Sequence, residues 1–145
     1  NDATQKQPIH NKEYCPRCGE RTTTVCLKCN ASIPGRYLVE GVVYAPSHYK
    51  LPAFCQYCGR PYPWTSRKQR AAIELFMAEV EDKKDQEEFR RSVKQITEDT
   101  PQAQAASGQL VKLLKKVGNA TADTIREFLI ELASDAVKKM LIPGG

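Results

Sequence analysis

The sequence predicts an α+β protein, with a small zinc-ribbon module of strands and loops over residues 1–64 and a four-helix region over residues 65–145. Three observations lead there. All six cysteines fall in three Cys-x-x-Cys pairs in the first half of the chain. The composition turns near Thr65 from Cys, Pro, Gly, Tyr and Thr to Ala, Glu, Lys, Leu and Gln. Beyond that point the apolar residues recur at helical spacing. A chain of 145 residues divided in this way leaves each part a thin core, and a bound metal would support the smaller one.

The N-terminal half begins with "EYCPRCGERTTTVCLKCN", where Cys15/Cys18 and Cys26/Cys29 lie seven residues apart, and resumes with Cys55/Cys58 in "CQYC". A two-residue spacing lets both sulfurs of a pair face one metal. Each second cysteine is followed by a residue that tolerates positive φ: Gly19, Asn30 and Gly59. That pattern is a zinc knuckle, a sharp turn whose backbone amides point at the sulfurs. Between the pairs, the short β-prone runs "TTTV", "RYLV" and "VVYA" suggest small strands, and Glu40-Gly41 a hairpin turn.

Other chemistries suit these cysteines less well. No secretion signal accompanies them, so a disulfide framework is disfavoured. Redox use of "CPRC" would place the first cysteine at a helix N-terminus, whereas a Thr-rich run follows. A zinc deaminase needs a His-x-Glu element, which neither His10 nor His48 begins. Four thiolates also leave zinc no open position for water, so the predicted site is structural. Six thiolates fill one site and half of another. Spacing leaves all three pairings of the knuckles open, with His10, His48 or ligands upstream of Asn1 to complete the second site. Upstream ligands are the expected answer.

In the C-terminal half, Thr65 or Ser66 is expected to cap a first helix reaching about Glu81, with Ala72, Ile73, Phe76, Met77 and Val80 on its apolar face. "EDKKDQEEFRRSVKQITED" predicts a surface helix whose narrow buried stripe is Phe89, Val93 and Ile96. A third helix has Thr100 as cap and Pro101 at its first position, buries Leu110, Leu113, Leu114 and Val117, and stops at Gly118. The fourth, opened by Thr121 or Asp123, carries Ile125, Phe128, Leu129, Leu132, Ala136, Val137, Met140 and Leu141 up to Pro143. Tyr62 and Trp64 in "GRPYPWT" are expected to bury apolar area where the two parts join.

Taken together, "YCPRCGERTTTVCLKC", "IPGRY", "PAFCQYCGRPYPWT", "DTPQAQAA" and the final "LLKKVGNATADTIREFLIELASDAVKKML" resemble a bacterial family of unassigned function. The likeness covers nearly the whole chain, and "FCQYCGRPYPWT" is its most specific part. It implies an N-terminal zinc-ribbon region, a helical C-terminal half, and a Cys…Gly-His element upstream of the first Cys-x-x-Cys. It implies no activity.

The functional expectations follow from what is present. Residues 1–70 hold 11 Lys and Arg against 4 Asp and Glu, and residues 71–145 hold 11 against 13, or +7 and −2. Four thiolates on one zinc ion leave that site at −2, which removes part of the basic excess. No apolar run approaches the roughly 20 residues that cross a bilayer, and a cytoplasmic protein is expected. No nucleophile–base pair, phosphate-cradling loop or paired acid is visible, so no catalysis is expected. The leading expectation is a zinc-stabilised adaptor that binds a protein partner in a bacterial complex. Its first alternative is a nucleic-acid-binding zinc ribbon using Arg17, Arg21, Lys28, Arg36 and Arg60 against phosphates. The second is an accessory subunit of a multi-protein enzyme.

Overall fold

The chain folds as two units, Asn1–Tyr62 and Pro63–Gly145, and the computed structural model describes residues 12–35 and 50–142. Among the described residues there are five helices and very little strand, so the architecture is helical rather than α+β. The β content is three isolated antiparallel bridges, Tyr14 with Arg21, Val25 with Ser32 and Phe54 with Pro61. Each bridge closes one Cys-x-x-Cys turn. Because the turn returns the chain within a few residues, the β-prone "TTTV" contributes only a bridge at Val25. The expected hairpin at Glu40-Gly41 and the runs "RYLV" and "VVYA" lie outside the described residues, as do His10 and His48.

The second unit carries all five helices, where the sequence predicts four. Helix α1 spans Pro63–Glu79 and begins two residues before the expected caps. Pro63 explains the early start: its fixed φ suits the first helical position, and it has no N–H to leave unpaired there. Thr65 is therefore inside the helix and buried. Helix α2, Lys83–Thr97, is capped by Asp82, whose carboxylate accepts the Asp85 N–H at 2.9 Å. Its apolar stripe Phe89, Val93 and Ile96 is wholly buried.

Helix α3, Pro101–Leu114, starts as expected with Thr100 at the cap and Pro101 next, although the Thr100 side chain makes no capping bond. Gly118 does not stop α3; it is the N-cap of α4, Asn119–Leu132. The expected fourth helix is two helices. The chain leaves the helical path at Ala133 and Ser134, with ψ of 154° and 161°, and re-enters as α5, Asp135–Leu141. That break resets the helical phase, so Val137 and Leu141 are buried while Ala136 and Met140 face solvent.

The core of this unit gathers Ala72, Phe76, Phe89, Ile96, Leu110 and Leu129, among others, where α1 packs on α2 and α4 and α3 packs on α2 and α5. At its centre Phe76 and Phe89 stack with ring centroids 4.0 Å apart and planes 1° from parallel. Polar ties fix the helix ends. The Glu79 carboxylate, at the end of α1, accepts the Gly118 N–H at 2.7 Å and the Thr121 hydroxyl, so one side chain serves the start of α4. Lys116 pairs with Asp85 at 2.5 Å.

Candidate metal centre

The three Cys-x-x-Cys turns are built by one repeated set of backbone hydrogen bonds. In each, the residue after the second cysteine donates to the first cysteine's carbonyl: Gly19 to Cys15 at 2.8 Å, Asn30 to Cys26 at 2.9 Å and Gly59 to Cys55 at 2.9 Å. Those three residues have φ of 72°, 59° and 71°, the left-handed region that the sequence pattern requires. The N–H of each first cysteine returns to the carbonyl five residues on, in Glu20, Ala31 and Arg60. Thr22, Ile33 and Tyr62 close the turns by donating to Glu13, Thr24 and Ala53.

The turn also aims amides at sulfur. The N–H groups of Cys18 and Arg17 donate to the Cys15 sulfur and hold its pKa down. Those of Cys29 and Lys28 do the same for Cys26. At Cys55 the amides of Cys58 and Tyr57 outweigh the cost of burial and bring the thiol to about 6. Cys29 goes the other way. The Ala31 amide favours its thiolate, but desolvation and the hydrogen bonds it makes as a thiol to its sulfur neighbours push it up to about 11.

Two of the three turns meet. The sulfurs of Cys26, Cys29, Cys55 and Cys58 all lie within 4.8 Å of one another. The Cys26 and Cys58 sulfurs are 3.7 Å apart, as are those of Cys29 and Cys55. Exchanging one turn for the other maps the first distance onto the second, so each turn contributes its first and second cysteine to the cluster at the same spacing. A tetrahedral ion about 2.3 Å from four sulfurs separates them by about 3.8 Å. The cluster is thus already spaced for a metal, and these four residues could hold one. Its charge calls for one as well: thiolates this close repel, and a divalent cation relieves the repulsion that a proton on Cys29 otherwise relieves.

Exposure divides the four. Cys26 and Cys55 are buried, at 3% and 2%, while Cys29 and Cys58 are exposed. Tyr62 is buried at 1% exposure, and burial, with the negative sulfurs near it, pushes its phenol pKa up to about 12. Cys15 and Cys18 share the backbone design and stay outside this cluster. The sequence left the pairing open; its 25-residue spacing fits the pair that meets, and nothing in it singled out Tyr62 as a neighbour of sulfur.

Residues 1–141 match the protein family described as an uncharacterized protein conserved in bacteria, DUF2321. The chain belongs to that bacterial family. The match runs through both units of this family member, from the Cys-x-x-Cys turns to α5. Comparison with curated proteins and with solved structures returns no match. Among the described residues of this DUF2321 protein, no helix is long and apolar enough to cross a membrane.

Proposed function

We propose that this chain is a zinc-stabilised adaptor, a non-catalytic module that binds a protein partner in a bacterial complex. The observation that carries the reading is the placement of Leu27 and Tyr57. Each lies between the two cysteines of a turn in the four-sulfur cluster, and they are 66% and 71% exposed. A large apolar side chain held in water on a rigid turn is an unfavourable arrangement in an isolated protein and a favourable one at a contact surface, where aromatic anchors carry much of the binding energy.

An all-thiolate donor set at tetrahedral spacing selects zinc among common divalent ions and leaves no ligand position for substrate. Zinc's part is structural: it pins the turns that present Leu27 and Tyr57. Thiolate ligation persists in a reducing compartment, which favours the cytoplasm. The Cys15/Cys18 turn repeats the backbone geometry and the amide-to-sulfur bonds of the other two. On that ground it is read as half of a second zinc site, with its remaining ligands outside residues 12–35 and 50–142.

The test is site-specific photocrosslinking in bacterial cells from a probe at position 57, repeated with Leu27→Asp. A discrete protein adduct that Leu27→Asp abolishes, with zinc content unchanged by native mass spectrometry, supports the adaptor. An adduct pattern indifferent to that substitution sinks it. A zinc count of one, in a chain whose Cys15/Cys18 thiols react freely, removes the second site.

A nucleic-acid reading draws on Arg17, Lys28 and Arg60, all exposed on the turns, while Arg21 reaches Glu13 at 4.0 Å and Arg36 lies outside the described residues. Phosphate contacts by those residues give binding that falls steeply with salt. Salt-independent or absent binding to single- and double-stranded DNA and RNA eliminates it.

A further inference from the structure

The two turns that meet at sulfur carry charge of one sign. Residues 22–35 and 50–62, which supply Cys26, Cys29, Cys55 and Cys58, contain Lys28, Lys50 and Arg60 and no Asp or Glu. All three cations are exposed, and among the described residues none of them pairs with a carboxylate. In the described part of this unit the acids are Glu13 and Glu20, both beside the third turn, where Arg21 reaches Glu13 at 4.0 Å.

The cations stand next to the exposed apolar residues. Lys28 follows Leu27 directly, and Arg60 comes three residues after Tyr57. Because the sulfurs of the two turns lie within 4.8 Å of one another, these four residues belong to one small stretch of surface. Leu27 and Tyr57 alone would suit any apolar partner. Unpaired cations beside them narrow the choice: a basic partner is repelled, and a neutral one strips water from Lys28 and Arg60 without replacing it. Phosphates would satisfy the charge, but single strands are held by successive aromatic platforms, and Tyr57 is the one exposed large aromatic on these two turns. Leu27 has no π face to offer a base.

We propose that the two turns dock an acidic peptide segment of the partner, Leu27 and Tyr57 taking its apolar side chains and Lys28 and Arg60 its carboxylates. The inference rests on the adaptor reading and names the chemistry of that adaptor's partner. An exposed ion pair is worth at most about fivefold in affinity, so the apolar contacts carry the binding and the charges choose the partner.

The experiment first identifies, by mass spectrometry, the segment that crosslinks in bacterial cells to a photoprobe at position 57 of the otherwise wild-type chain. That segment, synthesised as a fluorescent peptide, is titrated with the zinc-loaded full chain, and again with its Asp and Glu replaced by Asn and Gln. It is expected to carry carboxylates interleaved with apolar residues. Removing those carboxylates should weaken binding about tenfold, and added salt should weaken the acidic peptide while leaving the neutral one nearly unaffected. Lys28→Glu with Arg60→Glu should weaken the acidic peptide by more than tenfold and spare the neutral one. The peptide series uses the wild-type chain, so it decides the matter even where that double variant folds poorly. A crosslinked protein segment without an excess of carboxylates, or an affinity indifferent to their removal, overturns the proposal and leaves the adaptor standing. Crosslinks to DNA or RNA, or no crosslink at all, overturn both.

Discussion

If zinc fills the four-cysteine site as proposed, stripping it should melt the first unit and spare the second. Among its described residues, the unit Asn1–Tyr62 buries three apolar side chains, Cys26, Cys55 and Tyr62, two of which belong to the sulfur cluster. At roughly 1.5–3 kcal/mol for each fully buried side chain, their burial contributes on the order of 5 kcal/mol. A structural zinc site contributes about 10–16 kcal/mol at neutral pH. A bound zinc would therefore outweigh this apolar burial. Helices α1 to α5 are all in the other unit, around a core that includes no cysteine. Chelation of the full chain should leave helical circular dichroism nearly unchanged. It should abolish amide-exchange protection at Asn30 and Gly59, whose N–H groups are bonded to the Cys26 and Cys55 carbonyls. A loss of about 10 kcal/mol corresponds to roughly seven decades in protection if those amides exchange by unfolding of the unit. Residue-resolved exchange in the zinc-loaded and chelated protein measures it directly. Protection that survives complete metal removal would refute the argument, because the unit would then hold together without its ion.

Three further outcomes test the rest of the structure. Gly59→Ala should weaken zinc binding by about fivefold, since an L-residue at φ 71° costs roughly 1 kcal/mol and open space around a new Cβ leaves no steric term; Gly59→Asn, matching Asn30, should be milder, as metal titration will read. Phe89→Ala should destabilise the helical unit by about 3–5 kcal/mol, with a coupling to Phe76 of about 0.5–1.5 kcal/mol in a double-mutant cycle followed by urea unfolding. Bonds from Thr121 and Gly118 hold the Glu79 carboxyl below its ordinary range. Its contribution is therefore fully present above the ordinary glutamate pKa and lost as pH falls through the lowered folded value. Glu79→Gln should consequently lower the melting temperature at neutral pH and make little difference in strong acid.

Much of this was legible in the residues because the signals are local. The residues after the second cysteines, Gly19, Asn30 and Gly59, adopt the left-handed backbone that their positions require. Phe89, Val93 and Ile96 face the core as their three- and four-residue spacing demands. What escaped the reading is non-local or was masked by a stronger pattern. Which turns share sulfurs depends on the path of the chain between Cys29 and Cys55, and periodicity has no access to that. The α4–α5 break was hidden by an apolar stripe that continues in sequence through Leu132, Ala136 and Val137. Ser134 followed by Asp135, a cap and an acidic first turn, was the available signal. Gly118 fits either the end of one helix or the start of the next, and the Glu79 carboxylate brought to it by α1 decides for the start. Of the predicted strands, "TTTV" lies within the described residues and is reduced to a bridge at Val25, because each turn of the chain around a cysteine pair leaves one bridging residue on either side.

On the zinc reading, the uneven exposure of the four sulfurs would separate how tightly the ion is held from how fast it can leave. Cys26 and Cys55 are buried and Cys29 and Cys58 exposed, so on the zinc reading a competing thiolate or chelator would displace the outer pair one sulfur at a time while the inner pair kept its grip. Such a stepwise exchange, with no fully bare ion along the way, lets a centre bind strongly at equilibrium and still trade its metal quickly with another thiol-rich protein.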